Sequence, residues 1–319
     1  MKASTSVIGI DVGGTKIAAG TLELPEGRWT RFRTCPTRRD RGGRAVLDEV
    51  LQISEDLARE TLAASGRPVA AIGIALCELV GRTGEILSAH SLEWRSLPVR
   101  EELGRIAPAV LEADVRAAAR AEALFGAGRG LGSFLHVTIG TGISCCLVLE
   151  GRPHLGSRGL TGTMASSPLG PLLGNPDSGP SMTLEDLSAG PALVARFQKA
   201  GGVAERGEEV LQAAAGGNPT ALQILDSAAA ALGAHIGLLV NVLDPEAVVI
   251  GGGLGLSTGH HWDGLTTAVR NQVWSEIHRG LPILQATTGI DAGWLGAAVA
   301  ATEGFDLLSP PSHRLKTRL

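Results

Sequence analysis

Val7-Ile8-Gly9-Ile10-Asp11-Val12-Gly13-Gly14-Thr15-Lys16 decides how the rest of the chain is read. An apolar run ends in an aspartate, and two glycines, a hydroxyl and a cation follow. That order is the signature of a buried strand feeding a tight turn. Glycines let backbone N–H groups approach a ligand with no Cβ in the way, and a row of such groups suits phosphate. Asp11, at the strand end, is placed to meet a hydrated magnesium ion, which takes one or two carboxylates together with phosphate oxygens. A plain β-hairpin turned by Gly13-Gly14 fits the same residues. What lies further along has to separate the two.

At 319 residues the chain is long enough for two ordinary domains. A hydrophobic share of 44% beside 19% charged residues describes a globular protein with a substantial core. The net charge of −4, the lack of tyrosine and the absence of any basic cluster interleaved with aromatics argue against nucleic acid as a partner. Cys35, Cys77, Cys145 and Cys146 have neither metal-ligand spacing nor the pattern of a disulfide framework. They are read as reduced, buried small side chains. The apolar run after Lys2 is interrupted at Asp11, too soon for a signal peptide. The apolar stretch 228–243 is broken by His235 and Asn241 and bounded by Asp226 and Asp244, so a buried helix is expected there rather than a membrane span. A cytoplasmic location with no membrane partner follows as the expectation.

Beyond the first turn, strands are expected over 17–24 and 31–35 and a helix over 44–64, where Val46, Leu47, Val50, Leu51 and Leu57 recur at helical spacing. A buried strand follows at 69–76, a turn at 81–85, a short helix near 99–106 and an alanine-rich helix at 116–125, immediately after Asp114. The second half opens as the first did, with a strand at 134–139, the turn Gly140-Thr141-Gly142 and a strand at 144–150. A linker rich in Gly, Ser and Pro runs over 156–180. Helices are expected at 184–199, 208–214, 219–242 and 261–277, with strands at 247–250 and 283–287. The first of those strands ends in Gly251-Gly252-Gly253, and a small-residue helix at 292–301 comes last. Neither a G-x-G-x-x-G fingerprint nor a Walker A sequence is present, so any nucleotide site is of another kind.

Four motifs in this order carry a family resemblance: Asp11-x-Gly-Gly-Thr-Lys16, Asp114 before an alanine-rich helix, Gly140-Thr141-Gly142-Ile143, and Val249-Ile250-Gly251-Gly252-Gly253. Together they resemble the ROK family of sugar kinases and related repressors, in the actin/hexokinase ATPase superfamily. The resemblance implies an α/β fold of two actin-like (ribonuclease H-like) domains flanking an ATP and substrate cleft. Their expected bounds are 1–115 and 116–290, with the helix 291–303 returning to the first domain and a disordered tail at 308–319. It implies ATP and magnesium as cofactors. Asp11 would hold the metal through water, while Gly13, Gly14, Thr15, Lys16, Gly140, Thr141 and Gly142 would line the phosphates. Gly251, Gly252 and Gly253 would lie beside the adenosine, and Asp114 would be the general base that takes a proton from the attacking hydroxyl. Asp114 is equally placed to cap the helix that follows, and Lys16 to face solvent. ROK relatives are commonly oligomers, and a homodimer is expected.

The sugar side departs from the family pattern. Where sugar kinases place Asn before the aspartate, this chain has Ala113. Where they carry Gly-Glu-x-Gly-His, it has Gly162-Thr163-Met164-Ala165-Ser166. The stretch 174–182 that should hold zinc-binding cysteines has none, so no zinc site is expected. Glu185 in Thr183-Leu184-Glu185 matches the family's Cys-Leu-Glu and keeps a hydroxyl-binding carboxylate, or else simply belongs to a capped first turn. Glu78 stands near the usual Pro-Gly as a candidate replacement contact, and a solvated turn residue is the alternative. Ala113, Thr163, Ser166 and Ser91 (or its neighbour His90) complete the expected acceptor contacts. A site without the usual Asn, Glu and His should hold plain glucose poorly. The reading is a kinase acting on the primary hydroxyl of an unusual hexose-like acceptor, an amino sugar such as kanosamine or a C7-cyclitol of antibiotic biosynthesis. An ordinary glucose or N-acetylhexosamine kinase, or a non-catalytic sugar sensor, is the alternative.

Overall fold

The computed structural model describes residues 5–24, 27–169 and 182–304. The expected tail at 308–319, and all of the cysteine-free 174–182 stretch except Met182, lie outside them. By their contacts the described residues form two units, one running to Ala118 and resuming at Gly293, the other spanning Ala119–Ala292.

In the first unit, β1 (Thr5–Val12), β2 (Lys16–Leu24) and β3 (Arg28–Pro36) make an antiparallel meander. Helix α1 (Gly43–Ser65) leads to β4 (Ala71–Leu76), which lies parallel to β1. Short α2 (Val99–Leu103) precedes β5 (Ala109–Ala113), parallel to β4, and α3 (Asp114–Phe125) follows without a break. The sheet order is β3-β2-β1-β4-β5. Because strand side chains alternate between faces, Ile8, Ile10 and Val12 share one core with Ile72, Ile74 and Leu76, and α1 closes it with Val46, Leu47, Val50 and Leu57.

The other face of that sheet is shaped by missing side chains. Gly9 pairs with Gly20 across one strand boundary and with Gly73 across the other, which makes a row of glycines over β2, β1 and β4. The final helix, Ala292–Gly304, lies on this row. A Cβ at Gly9 would strike the Trp294 carbonyl, one at Gly20 the Trp294 ring, and one at Gly73 the Ala297 carbonyl. The helix is buried on every side from Trp294 to Thr302, which fits a sequence with no polar face.

The second unit repeats the plan. It holds β6 (Ser133–Ile139), β7 (Ile143–Leu149) and β8 (Arg152–Pro153), then α4 (Leu184–Ser188), α5 (Gly190–Lys199), α6 (Gly207–Ala215) and α7 (Pro219–Leu243). After these come β9 (Ala247–Gly251), α8 (His260–Gln272), α9 (Glu276–Arg279) and β10 (Ile283–Gln285); the final helix is α10. Strand order β10-β9-β6-β7-β8 has the same logic as the first sheet: an antiparallel meander, then two parallel crossovers on the far side of its first strand. The fold is α/β with two mixed sheets.

Two helices expected as single pieces are divided. The 184–199 helix breaks at Ala189, which is extended (φ −75°, ψ 160°). Pro191 in the first turn of α5 has no N–H for the preceding turn and its ring crowds that turn's carbonyl. The 261–277 helix stops at Gln272, because the Trp274 N–H is captured by Asn241 Oδ1 at 2.9 Å and the backbone turns out through Val273. Among the described residues α7 is the one helix long and apolar enough to cross a membrane, and half of its most apolar window is buried. Ile224, Leu225, Ala228, Leu232, Ile236 and Val240 on its inner side belong to the core of the second unit.

Candidate functional site

In the first unit the parallel register decides what meets. Val12 pairs with Leu76, and Leu76 with Ala113, so the residues just past that rung emerge together at the C-terminal edge of the strands. That edge is where open α/β sheets bind ligands. Asp11, Cys77 and Asp114 gather there, close enough to feel one another's charge. Burial pushes the Asp11 carboxyl up to about 7; the charge of Asp114 adds to the shift and Lys16 opposes it. Burial likewise lifts Asp114 to about 6, while the Val115 N–H and Arg116 pull it down and Glu78 pushes it up. The Val115 N–H donates to Asp114 Oδ1 at 2.6 Å. Asp114 therefore touches the first turn of α3 and still titrates near neutrality. Gly293, in the first turn of α10, is so near Asp11 that a Cβ there would strike the carboxylate.

The turn from β1 to β2 is both a hairpin and an open cradle. The Gly13 N–H closes onto the Lys16 carbonyl at 3.0 Å, while Thr37 donates its N–H to the Thr15 carbonyl and its hydroxyl to the Gly13 carbonyl, at 3.0 and 2.7 Å. This leaves the Gly14 and Thr15 N–H groups with no partner among the described residues. The Arg39 guanidinium carbon lies 3.7 Å from where a Gly14 Cβ would be. Lys16 is exposed at the start of β2. One carboxylate beside two open N–H groups and a cation fits a hydrated magnesium ion with phosphate. Among the described residues no three His, Cys, Asp or Glu side chains gather as a metal cage.

The second unit brings two glycine motifs, far apart in sequence, to one place. The Gly140 N–H closes onto the Gly142 carbonyl at 3.0 Å, and the Gly140 carbonyl accepts from the Gly190 N–H at 2.8 Å. Gly252 takes a positive φ of 83° and lies so tightly on β6 that a Cβ would strike the Ile139 carbonyl. Leu254 and Gly255 then both donate to that carbonyl, at 3.0 and 3.1 Å. A Cβ on Gly140 would lie 3.6 Å from the Gly253 nitrogen. Thr141, Gly142, Gly252 and Gly253 keep N–H groups without a partner among the described residues, and Gly251 ends β9 just before them.

The expected acceptor residues divide. Glu185 stands in the first turn of α4, where Thr183 and Asp186 form a reciprocal capping box. Its Oε2 accepts the Ile143 N–H at 2.8 Å, so one oxygen braces the Gly140–Gly142 turn and Oε1 has no partner among the described residues. Thr163 and Ser166 are exposed, with the Ser166 hydroxyl donating to the Thr163 carbonyl at 3.0 Å. Ser91 is half-buried and its side chain bonds to Cys77, whose thiol is pushed up to about 12 by burial and by Asp114. Ala113 is corrected: it packs in the core, 8% exposed, and Glu112 Oε1 takes its N–H at 3.0 Å, so it offers no side-chain grip. Glu78 is corrected too. It is buried, and its oxygens are filled by the Ser88 hydroxyl and by the N–H groups of His90, Ser91 and Leu92. A carboxylate with four donors is a brace for its own loop, not a free contact for a ligand.

Three residues at the site were not singled out from the sequence. Arg116, buried beside Asp114, pairs with Glu112 through Nε and donates from Nη2 to the Val80 carbonyl at 2.7 Å. Its four-residue spacing from Glu112 was visible. Arg39 and Gly293 gave no local signal, since both depend on contacts made far along the chain.

The ROK family model matches residues 7–303. The chain belongs to the ROK family. Among its relatives, the bifunctional enzyme NanE/NanK of Brucella melitensis is 33% identical over 95% of this chain, which spans only 55% of that protein's length. Among solved structures, a ROK hexokinase from Thermus thermophilus is 32% identical, with a TM-score of 0.78 over 95% of this chain and all of the other. A ROK glucokinase from Streptomyces griseus, solved with glucose and AMPPNP, is 26% identical with a TM-score of 0.76 over 94% and 100% of the two chains. The glycine turns and Asp114 described above all lie inside the matched ROK segment.

Proposed function

We propose that this ROK protein is an ATP-dependent kinase that phosphorylates a hydroxyl of a sugar or sugar-like acceptor. The observation that carries the reading is Asp114: a carboxylate at the strand edge, set to titrate at about 6, beside Asp11. A base of that strength is ionised at neutral pH and still able to take a proton. Asp114 accepts the hydroxyl proton as the acceptor oxygen forms its bond to phosphorus and the bond to the leaving ADP breaks. The open N–H groups of Gly14 and Thr15 in the first unit, and separately those of Thr141, Gly142, Gly252 and Gly253 in the second, suit phosphate oxygens, and positioning of this kind supplies most of the catalysis in phosphoryl transfer. Asp11 would hold magnesium through water, and the ion, when bound, would neutralise phosphate charge. The nucleotide analogue named with the Streptomyces griseus relative supports ATP as donor, and the names of the relatives support a hexose-type acceptor.

Within that class, an amino sugar or C7-cyclitol is the acceptor we favour. The residues that would grip plain glucose are replaced by Ala113, Thr163 and Ser166, and one oxygen of Glu185 is already engaged. The test is ADP release with ATP and magnesium over glucose, N-acetylmannosamine, N-acetylglucosamine, kanosamine and C7-cyclitols. Turnover of an amino sugar or cyclitol well above glucose, lost in Asp114→Asn, is expected. Preference for glucose would return the protein to the ordinary hexokinases of its family. Silence on every acceptor, with nucleotide still bound, would favour a sugar sensor.

A further inference from the structure

The segment from Glu78 to Leu92 leaves β4 and folds back on itself. Val80 bridges Ile86, and the Leu87 N–H returns to the Leu79 carbonyl at 2.7 Å. Glu78 closes this loop from inside. Its Oε1 accepts the Ser91 and Leu92 N–H groups at 2.5 and 2.7 Å, and its Oε2 accepts the His90 N–H at 3.0 Å and the Ser88 hydroxyl. Ser88 Oγ in turn accepts the Leu79 N–H at 2.8 Å. Three successive amides thus point at one carboxylate, in the manner of an anion nest. Behind the nest, Leu92 and Trp94 are buried, and the indole N–H of Trp94 donates to the Gly43 carbonyl at 2.8 Å.

His90 is exposed, and Ser91 bonds to Cys77, which stands beside Asp114 and Asp11 at the strand edge. We infer that Glu78 is the positioning residue of the acceptor site: by clamping the amides of residues 90–92 it fixes the Ser91 hydroxyl against Cys77, at the strand edge that carries Asp114, where that hydroxyl selects the acceptor. The inference rests on the kinase reading above and adds the device that orients its specificity. The clamp itself touches no substrate. Glutamine has the same shape but replaces one of the two acceptor oxygens by an NH₂, so whichever way its amide is turned Glu78→Gln sets a donor against at least one of these N–H groups and breaks the clamp on that side with little change in volume.

Hydrogen exchange and steady-state kinetics together test this on the full chain. In Glu78→Gln at least one of the amides of His90, Ser91 and Leu92 should exchange at least about tenfold faster, and the KM for the acceptor should rise about tenfold while the KM for ATP stays put. Ser91→Ala should reproduce the acceptor effect without the exchange effect, and Glu78→Asp should restore part of both. Ser88→Ala, which removes one donor of four, is the milder variant should Glu78→Gln not fold, and its expected rise in acceptor KM is about threefold. Unchanged exchange at 90–92, or an unchanged acceptor KM in an active Glu78→Gln enzyme, would overturn the inference. A wild-type protein inactive on every acceptor would instead overturn the kinase reading beneath it.

Discussion

Asp11 and Asp114 stand where a carboxylate is hardest to ionise. Both lose solvent, and the charge of Asp114 adds to the shift at Asp11. The consequence for stability has a definite sign. Asp11 goes from 3.8 unfolded to about 7 folded, so its contribution is fully present below 3.8 and is lost as pH climbs through about 7. Asn at this position removes the burden of a buried charge. Asp11→Asn should therefore be more stable than wild type at pH 8, by on the order of 1–3 kcal/mol once partial exposure is allowed for, with the gap closing toward pH 4. Urea unfolding at the two pH values checks it, and an equal gap at both would rule out titration of Asp11 as the cause.

At the level of elements, glycine does more than turn the chain. The row Gly9, Gly20 and Gly73 removes side chains where α10 must lie, so that helix backbone meets strand backbone. Gly73→Ala would drive a Cβ into the Ala297 carbonyl, which cannot rotate away. A loss of roughly 1–3 kcal/mol or more is expected from overpacking. Gly280→Ala, whose Cβ would find its nearest neighbour at 3.7 Å, should change stability by less than about 0.5 kcal/mol. A denaturant series on both variants decides it. The strands and most helices were legible because their apolar spacing is local. The break at Ala189 has a local signal in Pro191. The end of α8 was not, because the partner that captures Trp274 is Asn241, on another helix.

Across the whole molecule the same five-strand plan occurs twice, and its trace in the sequence was a single echo of strand, glycine turn and strand. The glycine turns of the candidate site could be read from the chain because each is a few contiguous residues with a local signal. The acceptor side resisted, since its meaning lies in pairings. Glu78 looked like a spare carboxylate until residues ten to fourteen positions on were found to fill it. Ala113 looked like a pocket residue until its neighbours were known.

On the proposed role of Asp11 in holding magnesium, its elevated carboxyl would make cation loading an exchange of protons. With its carboxyl lifted to about 7, Asp11 carries a proton for part of the time at neutral pH, and a cation that needs the carboxylate must displace what is there. Each loading event would release a fraction of a proton to the buffer at pH 7 and less at pH 9. Calorimetric titration of magnesium-ATP in two buffers of different ionisation enthalpy, PIPES and Tris, would show this as a difference in apparent heat that shrinks at pH 9. Identical heats at pH 7 would mean that Asp11 is already ionised. If the heats differ, the affinity for the cation climbs with pH until Asp11 has no proton left to give, and the protein loads most readily where its own fold is least comfortable.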